Sequence, residues 1–249
     1  MLLAHISDII IDDFQISVSL PHRRDLHLMD RPEVLATLHE YLTSQKYLCD
    51  DHSHPKVVLY EPAPVGKTQL ALLYANTHQY DFSSIFWIEA ESARSIEWSF
   101  FDIAHQLLRH YESSPGGTPS LAASALGLQG ILGADPDQID LSRIVSAVME
   151  WFTRKENTRW LLIYDNANGQ GYSDIKDFIP PTSSGRGHVI VTTRLERRFH
   201  CEPVGHLIRS LHVPSIPHED VLKFLLNLAH QKPKSLAPEG ISINRHYLS

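Results

Sequence analysis

From Lys56 onward the chain alternates between two kinds of apolar spacing. Short unbroken runs come first: "KVVLY" (Lys56–Tyr60), "SIFWIEA" (Ser84–Ala90), "RWLLIYD" (Arg159–Asp165) and "GHVIVTT" (Gly187–Thr193). Runs of this length, rich in β-branched and aromatic residues, predict strands buried on both faces. "IRSLHVP" (Ile208–Pro214) is a candidate fifth. Between the runs, apolar residues recur at three- and four-residue intervals, the spacing of a helix face. "RPEVLATLHEYL", "GKTQLALLYANTHQY", "SARSIEWSFFDIAHQLLRHY", "DLSRIVSAVMEWFTRK" and "PHEDVLKFLLNLAHQ" are predicted helices, with Ser92 and Asp140 as N-caps. "LAASALGLQGIL" predicts a weaker helix interrupted by glycines, and "YSDIKDFI" a short one stopped by Pro180-Pro181.

Strands alternating with helices predict an α/β protein: a three-layer sandwich, a parallel sheet covered by helices on both faces. Ligands in such sheets bind beyond the carboxyl ends of the strands. Three chemically informative segments fall at such ends: the loop after Tyr60, the aspartate after Tyr164, and "TTR" after Val191.

The loop after Tyr60 reads "EPAPVGKT" (Glu61–Thr68). A strand, a Gly-Lys-Thr and an apolar helix form a phosphate-binding arrangement, in which backbone N–H groups and a helix N-terminus face the anion. Val65, Gly66, Lys67, Thr68 and Gln69 are its candidate residues, with Lys67 reaching the β- and γ-phosphates and Thr68 ligating Mg²⁺. Asp165 is the carboxylate expected to hold that Mg²⁺ through its water shell. Its neighbour Asn166 cannot accept a proton from water at neutral pH, which predicts slow hydrolysis or none. Arg194 suits sensing of a γ-phosphate, because its planar fork binds bidentately. Taken singly, Asp165 could equally close a strand and Arg194 could be a surface charge. Their position at neighbouring strand ends favours the functional assignment.

Composition narrows the partners. The 249 residues suit one generous domain, or one domain with a partial second. A formal charge of -7 argues against a general polyanion binder, so no specific nucleic-acid partner is expected. The two cysteines, Cys49 and Cys201, predict a reduced intracellular chain more readily than a disulfide. No run approaches the roughly 18 apolar residues of a membrane span, and Asp8, Asp12 and Asp13 interrupt the apolar start. A cytoplasmic protein with no membrane partner is expected. Sixteen histidines are scattered; His52 and His54, near Cys49, Asp50 and Asp51, are expected to be solvated rather than metal ligands.

The order of "RPEVLATLHEYL", "VVLY....VGKTQLALLYA", "FSSIFWIEAESARSIEWSFFDIAHQL", "RWLLIYDNAN" and "GHVIVTTR" resembles one group of P-loop NTPases. The chain is similar to the NB-ARC and NACHT-like nucleotide-binding domains of the STAND class, in the style of NLR-type receptors of filamentous fungi. The resemblance covers about Met29 to Leu226, with 1–28 a lead-in and 227–249 an irregular tail. It implies a five-stranded parallel core, bound ADP or ATP with Mg²⁺, and a signalling switch that associates with itself or with other signalling proteins. It implies Lys67 and Thr68 on phosphate and Mg²⁺, Asp165 on Mg²⁺ and Arg194 on the γ-phosphate. By position it also implies Arg31 near the base and ribose.

Two departures qualify those implications. The loop has Glu61, Pro62, Ala63 and Pro64 where its relatives have early glycines. Glycine lets backbone approach phosphate at positive φ, proline has no N–H to offer, and Glu61 adds negative charge. The family's later "GLPL"-like segment and winged helix also have no match after Leu226. The expectation is therefore a nucleotide-binding switch module with weak or no hydrolysis. The alternatives are a degenerate P-loop scaffold that binds no nucleotide, and an ordinary P-loop ATPase or kinase.

Overall fold

Along each inner strand, successive side chains enter opposite cores, the two-residue alternation of a pleated sheet. In the computed structural model, which describes residues 29, 31–44, 55–129, 140–154, 157, 159–169, 175–181, 187–195 and 208–230, five strands form one sheet. They are β1 (Lys56–Tyr60), β2 (Ser84–Glu89), β3 (Trp160–Asp165), β4 (His188–Thr193) and β5 (Ile208–His212). The order across the sheet is β2-β3-β4-β1-β5, and every pair is parallel.

Val57, Leu59, Ile85, Leu161, Ile163 and Ile190 point to one face. There they pack with Leu38 and Leu42 of α1 (Pro32–Thr43) and with Leu70, Ala71, Tyr74 and Ala75 of α2 (Lys67–Thr77). Val58, Phe86, Ile88, Leu162, Tyr164, Val189 and Val191 point to the other. They meet α3 (Ala93–Ser113), α4 (Pro119–Ala125) and α5 (Leu141–Phe152). The expected three-layer α/β sandwich with a five-stranded parallel sheet is thus the observed fold. All six residues of β3 are buried, as the unbroken apolar run requires.

Local signals behave as their chemistry dictates. Ser92 and Ser95 form a reciprocal capping box at the start of α3, and Asp140 caps α5 through the Arg143 N–H. Helix α4 ends at Ala125, just before Gly127, whose φ of 69° is left-handed. The described part of "YSDIKDFI" shows how the expected short helix ends. Ile175 is α-helical, a 3-10 turn, Lys176–Phe178, follows, and Ile179 is already extended ahead of Pro180, because a residue preceding proline avoids helical backbone.

The chain divides into two units, Met1–Ser215 and Ile216–Ser249. The second holds α6 (His218–His230), whose first turn closes on the Pro217 carbonyl. The lead-in 1–28, the histidines at 52 and 54, both cysteines and residues 231–249 lie outside the described residues. No described helix is long and apolar enough to cross a membrane.

Helices α1 and α2 meet through an aromatic cluster. The rings of His39 and His78 stack at 4.3 Å, and the buried Tyr74 hydroxyl lies 3.2 Å from Nδ1 of His39. His78 pairs in turn with Asp81 at 2.8 Å. Burial, and then the neighbouring His78, hold His39 below its ordinary pKa, against a smaller opposing pull from Asp81. A histidine depressed on folding binds its proton more readily in the unfolded chain. Its contribution to stability is therefore present above the unfolded value, about 6.5, and is lost as pH falls below it. Thermal unfolding followed between pH 7.5 and 5 should show a falling Tm, and His39→Gln should flatten part of that slope. His110, also depressed by burial, supplies another part. An unchanged slope in the variant would show that His39 does not couple to folding.

Candidate phosphate-binding site

Strand β1 ends at Tyr60, and six residues later the chain turns into α2. Gly66 makes that turn at φ +87°, a left-handed conformation in which a side chain is strained. It is the N-cap of α2 and supplies no side-chain cap, so the first N–H groups of the helix face outward with the positive end of its dipole. That is the anion-binding feature that "VGKT" predicts.

The preceding half of the loop gives much less. Pro62 and Pro64 have no N–H. The Ala63 N–H donates to the Glu61 carboxylate at 3.2 Å, and the Val65 N–H to the Ala63 carbonyl at 2.9 Å. The other Glu61 oxygen lies 2.6 Å from Nε2 of His212, at the end of β5. Glu61 is thus turned sideways along the sheet edge. The Ala63 N–H and then His212 hold its carboxyl below the ordinary carboxylate range.

Lys67 is buried, and its ammonium donates to the carbonyls of Glu61 at 2.5 Å and Ala63 at 3.0 Å. Burial, and next the charge of Arg194, lower its pKa; Glu61 and Asp165 act in the opposite direction.

Thr68 donates its hydroxyl proton to Oδ1 of Asp165 at 2.9 Å. With the proton so directed, the Thr68 oxygen keeps lone pairs for a cation. The donor set fits Mg²⁺: a hydroxyl and a carboxylate, both hard oxygen ligands. Among the described residues no group of three or more His, Cys, Asp or Glu is arranged to hold a metal by itself.

Arg194 is exposed, and its backbone N–H donates to the side chain of Asn168 at 2.7 Å. Asn168 also donates to Oδ1 of Asn166, which sits at φ 67°, the one described non-glycine residue at positive φ. The Asn166 amide is thereby engaged within its own turn. Arg31 takes a structural position: one guanidinium nitrogen donates to the Val65 carbonyl at 3.1 Å and the other to that of Pro214. It staples the start of α1 to the phosphate loop and to the exit from β5. Val65 is buried beneath the loop, and Gln69 folds its side chain over Gly66.

The structure thus brings Lys67, Thr68, Asp165 and Arg194 to one locus, with Gly66 and Gln69 beside it and Arg31 bracing the loop from behind. It adds His212, Asn168 and Thr192, which sequence reasoning passed over. "TTR" and "DNAN" carried a signal for the last two, polar residues directly after buried strands. His212 gave none, because its partner is 151 residues away.

No protein-family model matches the chain, and no curated protein does. Among solved structures it is similar to Cdc6p from Pyrobaculum aerophilum, at 15% identity and a TM-score of 0.45, over 89% of this chain and 54% of that one. It is also similar to the ORC2 protein from Aeropyrum pernix. The ADP form gives 15% identity and a TM-score of 0.45, over 87% of this chain and 55% of that one. The ADPNP–ADP complexes give 16% and 0.43, over 87% and 54%. The chain spans about half the length of these proteins, and overlaps this slight assign it to neither protein's family.

Replacing Glu61 by glycine frees the Ala63 N–H and removes a negative charge from the loop. ADP affinity, measured by calorimetric titration, should tighten about tenfold, or about 1.4 kcal/mol. Unchanged affinity would mean that the Glu61 carboxylate does not compete with phosphate.

Proposed function

We propose that the chain is an ADP- or ATP-binding module of a STAND-type signalling switch, NB-ARC-like over about residues 29–226, with slow or absent hydrolysis. The observation that carries this reading is the meeting of Lys67, Thr68, Asp165 and Arg194 at the ends of three adjacent strands. Lys67 would hold the β- and γ-phosphates, with the Gly66–Gln69 N–H groups at the head of α2 beneath them. Thr68 and Asp165 would hold Mg²⁺, which supplies neutralisation of the phosphate charge. Arg194 would report the γ-phosphate, and Arg31, by way of Val65, would keep the loop seated against β5.

Slow hydrolysis follows from two features of Asn166. An amide cannot take the proton of an attacking water, and this one is already bonded to Asn168. A module of this kind acts through the conformation its nucleotide favours, in a homo-oligomer or with other signalling proteins. No specific nucleic-acid partner is proposed, and a cytoplasmic setting accords with this reading.

One observation favours the scaffold alternative. The early loop is satisfied by its own groups, Glu61 on the Ala63 N–H and Lys67 on two carbonyls. A nucleotide must displace those bonds to bind. Titration of a fluorescent ADP or ATP analogue with Mg²⁺ separates the two. Saturable binding by the native chain, weakened at least tenfold in Lys67→Ala, is the expected result. No binding at millimolar nucleotide would overturn this reading and favour the scaffold, and rapid phosphate release would favour an ordinary ATPase.

A further inference from the structure

Strand β4 lies between β3, which ends in Asp165, and β1, which leads to Thr68. The two residues that meet at 2.9 Å therefore reach over the end of an intervening strand. The residue on that strand end is Thr192. It is 2% exposed, and its hydroxyl makes two bonds. It lies 2.5 Å from Oδ1 of Asp165, and it accepts the backbone N–H of Asn166 at 2.9 Å.

The direction of both bonds is fixed by chemistry. A backbone N–H only donates, so the Thr192 oxygen receives it in a lone pair. An ionised carboxylate only accepts, so the single Thr192 proton goes to Asp165. Asp165 Oδ1 thus accepts two hydroxyl protons, from Thr68 and from Thr192. This leaves the second carboxylate oxygen for the water shell of a cation. The same Thr192 residue also accepts the Ala167 N–H at its carbonyl, at 2.9 Å. The turn after β3, left-handed at Asn166, is therefore pinned to β4 twice by one residue.

We propose that Thr192 is a positioning residue for the Mg²⁺ site: its hydroxyl sets the orientation of the Asp165 carboxylate. The role rests on the nucleotide reading of the site. Outer partners of metal-binding carboxylates orient them, and their loss typically weakens metal affinity by roughly 10- to 100-fold. A purely structural threonine would instead affect nucleotide binding equally with and without the metal.

The test compares native protein, Thr192→Val and Thr192→Ser. ADP affinity is measured by calorimetry across a Mg²⁺ series and in excess chelator. In Thr192→Val the Mg²⁺ concentration giving half the affinity gain should rise roughly 10- to 100-fold. Its affinity in chelator should stay within about twofold, as metal-free binding does not use Asp165. Thr192→Ser keeps the hydroxyl and should keep the native Mg²⁺ dependence. Adding Thr192→Val to Asp165→Asn should cost little more, because Thr192 acts through that one carboxylate. A native Mg²⁺ dependence in Thr192→Val, or an equal loss with and without metal, would overturn the role while native binding stands. If Thr192→Val does not fold, a shifted Mg²⁺ dependence in Thr192→Ser overturns it instead. Absence of ADP binding by the native chain would overturn the role and the nucleotide reading together.

Discussion

One carboxylate oxygen holds this site together. Oδ1 of Asp165 receives hydroxyl protons from Thr68, at the head of α2, and from Thr192, at the end of β4. Two strand ends and a helix N-terminus are thereby fixed relative to one another, next to Lys67. Everything else proposed for the chain depends on that meeting. Without it Gly-Lys-Thr would be a short motif of little specificity, and Asp165 a polar residue at the end of a strand.

The phosphate loop shows two opposed tendencies. Its second half has the features that the proposed anion site needs: left-handed Gly66, a helix start with no side-chain cap, and the buried Lys67. Its first half is closed on itself. Two prolines remove N–H groups, and Glu61 takes the Ala63 N–H with one oxygen while leaning on His212 with the other. The phosphates of a bound nucleotide would therefore rest on the helix start, with few donors from the preceding turn. That accounts physically for weaker binding than an all-glycine cradle would give. It does so chiefly through missing donors, since the carboxylate points along the sheet edge.

How much of this was legible in the sequence follows from where each signal lies. The inner strands could be read because burial on both faces leaves unbroken apolar and aromatic runs, "WLLIY" and "VIV". Ser92 and Asp140 could be read as caps because capping is local. The nearness of Lys67, Thr68, Asp165 and Arg194 could be read because topology brings strand ends together once the sheet is known to be parallel. The rest is long-range. Nothing near Glu61 indicates that its partner is His212, and nothing near Arg31 indicates the Pro214 carbonyl, 183 residues on. Arg31 was expected beside a base and ribose; its two outer nitrogens brace backbone carbonyls. Thr192 was overshadowed by the arginine after it, because a hydroxyl between two strands has meaning only when the strand order is known.

The central claim is that a nucleotide is held at the start of α2 and not by the turn before it. Backbone amide NMR during a titration with Mg²⁺ and ADP tests this directly. The account predicts saturable shifts of the Gly66, Lys67, Thr68 and Gln69 amides, with the Ala63 amide little changed. Shifts centred on Ala63 and Val65, or none at all up to millimolar ADP, would contradict it.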